Sequence, residues 1–64
     1  MSYTDRNFTT RTSAHGSGFV PNGEPEVFNM TLEEARKDVL FWRSYADTVG
    51  GDAIIVHKYL GEIE

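Results

Sequence analysis

The chain contains no cysteine, which excludes disulfide staples and thiolate metal sites alike. It has no apolar run approaching the roughly 18 residues of a membrane-spanning helix, and no membrane association is expected. Its first residues lack the basic start and apolar stretch of a secretory signal. Together these absences point to a cytoplasmic protein. Basic residues are scarce too: six Lys and Arg stand against ten Asp and Glu, for a net charge of −4. They form no stripe along which a phosphate backbone could lie, so no nucleic acid is expected as a partner. The acids are not massed either, which speaks against a protein that imitates the charge of DNA. Only two histidines occur, His15 and His57. Neither belongs to an i, i+4 pair or a ligand-spaced cluster, so no metal and no cofactor is expected.

What is present is enough for one small domain spanning residues 1–64. Apolar residues make up 39% of the chain and charged residues 25%, the composition of a folded chain rather than a disordered one. A chain of this length buries only about 60% of the surface its unfolded form exposes, and a single core of this size supplies roughly 3–5 kcal/mol. Without disulfide or metal, association with another chain is the remaining staple.

Residues 1–16 read as a loosely ordered arm or edge strand, rich in Thr and anchored by Phe8, that gives way to a Gly- and Ser-rich loop around His15. Residues 17–64 read as a hairpin, helix and strand core. Pro21-Asn22-Gly23 is a turn signal between the apolar pairs Phe19/Val20 and Val27/Phe28, and Pro25 limits the ladder that could follow. Thr31 followed three residues later by Glu34 has the spacing of a capping box. From there Leu32, Ala35, Val39, Trp42, Ala46 and Val49 recur at steps of three and four, the single stripe of an amphipathic helix. Gly50-Gly51 supplies its stop. Residues 52–60 are β-rich, with Ile54, Val56 and Leu60 on one face and Ala53, Ile55 and Tyr59 on the other. A β-α-β unit with strands near 26–30 and 53–60 would carry a right-handed crossover if both strands share a sheet. The expected fold is α+β: a small, mostly antiparallel sheet of three to four strands with one amphipathic helix packed on one face, in β-β-α-β order.

No constellation carries recognisable catalytic chemistry. The His15-Gly16-Ser17-Gly18 loop lacks the Lys of a phosphate-binding loop and the strand-turn-helix setting of a nucleophile elbow. Glu33 and Glu34 point about 100° apart and favour the positive end of the helix dipole; Glu62 and Glu64 read as solvated tail charges. The informative feature is the helix flank, where Phe41 and Tyr45 lie four apart beside the core stripe, either packed under the N-terminal arm or exposed as an aromatic contact rimmed by Glu34, Lys37 and Asp38. Aromatic side chains carry much of the energy of protein interfaces. The expectation is therefore a non-enzymatic interaction module that contacts a partner protein or its own copy, with Phe41, Tyr45, Ile55, His57 and Tyr59 as interface candidates. Its size suits an accessory or inhibitory protein of the kind encoded by bacteriophages and mobile elements. The alternative is a small-ligand binder, or a subunit of a multi-chain enzyme, using His57, Tyr59 and the His15 loop.

Overall fold

The structure, a computed structural model, describes residues 5–63; Tyr3 of the expected arm and the tail residue Glu64 lie outside them. The fold is α+β. Five elements follow in order: β1 (Phe8–Thr12), β2 (Val20–Pro21), α1 (Leu32–Asp47), β3 (Ala53–His57) and β4 (Gly61–Glu62). The four strands form one antiparallel sheet in the order β2-β1-β3-β4, and α1 packs against β1 and β3.

The helix forms for local reasons. The Thr31 hydroxyl accepts the Glu34 N–H while the Glu34 carboxylate accepts the Thr31 N–H, a closed capping box. At the other end Gly50 adopts φ +73° and the Gly51 N–H returns to the Ala46 carbonyl, the left-handed closure that a glycine pair permits. Ala35, Val39 and Ala46 turn fully inward, with Leu32 and Trp42 half-buried beside them. Val49, expected on the same stripe, is 41% exposed because the helix has already ended two residues earlier.

The core is built by Phe8, Ala35, Val39, Ala53 and Ile55, with Met30, Leu32, Trp42 and Ile63 packed around it. Phe8 and Ile55 are completely buried, and each side chain of this kind contributes about 1.5–3 kcal/mol relative to exposure. Because Phe8 opposes His57, Thr10 opposes Ile55 and Thr12 opposes Ala53, these six residues share the face that α1 covers. Ile54 and Val56 lie on the opposite face and are buried as well.

Four expectations are corrected. The segment read as an arm or edge strand supplies β1, which is paired on both sides. No hairpin joins Phe19/Val20 to Val27/Phe28: Val20 and Pro21 pair with Thr12 and Arg11 instead. Asn22 exchanges hydrogen bonds with both Thr10 and Thr12, and residues 23–28 form a loop that Glu26 ties back to Arg11. Residues 26–30 contribute only a bridge, Met30 to Phe8, so no parallel crossover exists. Finally, the chain from 52 to 60 is not one strand. It turns after His57, and Gly61 takes φ +78° to open β4, the left-handed residue that a three-residue hairpin loop requires.

Candidate functional site: a groove along the helix

One flank of α1 faces the segment running from the end of β1 through β2 to Met30, and a groove lies between them. Helical geometry explains its wall: at 100° per residue, Asp38, Phe41 and Tyr45 fall on the side of the core stripe that Trp42 borders, and Val49 follows just past the helix end. The groove widens into three depressions of about 570, 320 and 280 Å³. The first lies between Arg6, Met30, Lys37 and Phe41. The second, centred on Thr10, Asp38 and Trp42, shares Met30 and Asp38 with the first. The third, bounded by Val20, Tyr45 and Val49, shares Asn22 and Trp42 with the second. They are continuous along the helix.

Phe41 and Tyr45 stand on this flank, 64% and 56% exposed. Both meet Trp42 edge to face, with ring centroids 5.2 and 5.9 Å away, the arrangement that aromatic quadrupoles favour. The three rings form one cluster that is half-buried at its centre and open at its ends. Val20 and Val27 on the facing segment are exposed too.

Polar groups line the middle of the groove. The Thr10 hydroxyl donates to the Asp38 carboxylate and accepts from the Asn22 amide, while Thr12 donates to the Asn22 oxygen. This chain ties the helix to β1 and to the segment after β2. Nearby, Arg11 donates two 2.8 Å hydrogen bonds to Glu26, a bidentate pair. The Arg11 hydrogen bonds hold the Glu26 carboxyl below its usual range, and the same contact raises Arg11.

The other interface candidates are not brought to this groove. Ile55 is in the core at 0% exposure and offers no surface on the folded chain, because α1 covers its face of the sheet and packs Ala35 and Val39 into the same cluster as Ile55. His57 is buried as well. Its Nδ1 accepts the backbone N–H groups of Tyr59 and Leu60 at 3.1 and 3.2 Å, and its Nε2 lies 3.0 Å from the Asp5 carboxylate. The proton therefore sits on Nε2 and is donated to Asp5, and neither ring nitrogen is left for a ligand. The hydrogen bond from His57 is the main reason the Asp5 carboxyl is held below its ordinary value. Tyr59 is 73% exposed at the tip of the β3–β4 turn. His15 sits beside Val49 and Gly50, next to the Thr12–Ala53 end of the sheet, whereas His57 is at the Phe8 end. The structure does not bring the two histidines together.

Sequence reasoning placed Asp38 only on the rim and missed Thr10 and Asn22. The available signal for Asp38 was its i, i+4 spacing to Trp42; the two partners on β1 and the loop left none. Among the described residues, no group of three or more His, Asp or Glu is placed to hold a metal ion, and no helix is long and apolar enough to cross a membrane. No family model, curated protein or solved structure matches this chain.

Proposed function

We propose that this protein is a non-enzymatic interaction module that uses the groove beside α1 to contact another protein, either a partner or a second copy of itself. One observation carries the reading: Phe41 and Tyr45 are more than half exposed while packed edge to face against a half-buried Trp42. An aromatic pair held in a fixed orientation loses little conformational freedom when covered, which is what makes such residues effective anchors. A stable interface covers about 800 Å² per partner, close to a fifth of the 4289 Å² this chain exposes.

The test is solution mass by light scattering across a dilution series for the native chain and for the double variant Phe41→Ser, Tyr45→Ser, with melting temperature at each concentration. A dimer whose melting point rises with concentration, and which the double variant lacks, supports self-contact through the groove. If the native chain is a monomer throughout, a photo-crosslinking side chain at position 41 is compared with one at Glu24 in lysate. A discrete protein adduct at 41 and none at 24 supports a separate partner; no adduct at either position overturns the reading.

A further inference from the structure

Asp38 is half-buried and, among the described residues, its carboxylate has one partner, the neutral hydroxyl of Thr10. The arginines that line or flank the groove are paired elsewhere, and Lys37, which shares the first depression with Asp38, points into solvent with only a 3.9 Å surface contact to Glu33. Arg11 is bound to Glu26 and Arg6 to Glu34. Asp38 thus differs from the other carboxylates withdrawn from water, Asp5 and Glu26, which have a histidine and an arginine. A carboxylate partly removed from water without a cation is costly, and the cost is recovered when a cation arrives.

The surroundings of Asp38 define which cation fits. It opens onto the central depression of about 320 Å³, whose lining includes the indole of Trp42, the apolar side chains of Met30, Pro25 and Val27, and a second carboxylate, Glu26, already paired with Arg11. A fully hydrated metal ion would leave those walls unused. An ammonium or guanidinium on an apolar stem would use both: the head against the carboxylate, the stem along the indole and the aliphatic walls. Thr10 and Asn22 keep the carboxylate oriented, since the hydroxyl that donates to Asp38 is itself held by the Asn22 amide.

We propose that the central depression is a receptor for a basic side chain, lysine or arginine, presented by the protein that covers the groove. This rests on the reading above for the source of the cation, while the chemistry of the depression stands on its own. The depression adjoins the exposed rings of Phe41 and Tyr45, so one partner segment can cover both.

Trp42 is the single tryptophan of the chain, and its fluorescence reports the depression directly. The intact protein is titrated with n-butylammonium and N-acetylarginine amide, with 1-butanol as the neutral analogue of the same stem, and followed by Trp42 fluorescence and by amide shifts. Both cations are expected to saturate, to move the Thr10, Asp38 and Val27 amides, and to weaken with added salt, whereas butanol does not saturate. Asp38→Asn keeps an oxygen to accept the Thr10 hydroxyl and removes the charge; it is expected to weaken cation binding at least about tenfold with the melting temperature retained. Equal response to butanol, or cation binding unchanged in Asp38→Asn, overturns the proposal even if the Phe41/Tyr45 variant loses its association. Saturable cation binding in a protein that shows neither association nor crosslinking at position 41 overturns the partner side chain as the source.

Discussion

The carbonyl oxygen of Ser13 stands 1.7 Å from the point where a Cβ on Gly51 would lie, with the Ser13 carbonyl carbon at 2.6 Å. The chain after β1 and the chain after α1 cross here backbone to backbone, joined by the Ser13 N–H donating to the Asp52 carbonyl at 2.8 Å. Gly51→Ala forces the two segments apart, and because the obstacle is main chain no rotamer relieves it. The expected cost is more than about 2 kcal/mol, read as a lowered urea midpoint. Gly18→Ala, where a Cβ meets nothing within 4 Å, is the control and stays within about 0.5 kcal/mol.

The buried ring of His57 closes the β3–β4 turn from inside. Its removal in His57→Ala strands two backbone N–H groups and the Asp5 carboxylate and takes away the edge-to-face contact with Phe8, whose centroid is 4.8 Å distant. The variant is expected to lose about 2–4 kcal/mol. Hydrogen exchange locates the effect: the Tyr59 and Leu60 amides exchange first, while those of α1 follow global unfolding.

Acid weakens the fold through three carboxylates. Asp5, Glu26 and Glu34 are each held below their ordinary values, by the His57 hydrogen bond, the Arg11 hydrogen bonds and the Thr31 N–H respectively. A group with a lowered folded pKa binds its proton more readily when unfolded. Its stabilisation is therefore complete above the unfolded carboxylate range near 4 and is lost as pH falls through the lower folded value. Melting temperature is expected to hold from neutral pH to about 5 and then to drop. In Glu26→Gln the plateau is lower and the acid drop shallower, since one of the three groups no longer titrates.

The helix was legible in the sequence almost to the residue, because its determinants are local: a cap at Thr31 answered by Glu34, an apolar stripe at steps of three and four, and a glycine stop. The antiparallel sheet with one helix on its face was legible as a class; helical spacing placed Phe41 and Tyr45 beside the core stripe but left open whether they pack under the N-terminal segment or stand exposed, which the structure decided. Tertiary structure decided the rest. A stretch of alternating or β-branched residues announces a strand but not its neighbour, so nothing in residues 8–12 marked them as central, and nothing near Val20 told it to pair with Thr12 rather than Val27. Asp38 and Thr10 are 28 residues apart, and His57 and Asp5 are 52 apart. Side-chain bonds of that kind exist only after the chain has closed, because neither partner has a local preference for the other. Burial of Phe8 and Ile55 under the helix decides that β1 lies in the middle of the sheet, and these bonds then fix His57 at one end and Asp38 beside the groove.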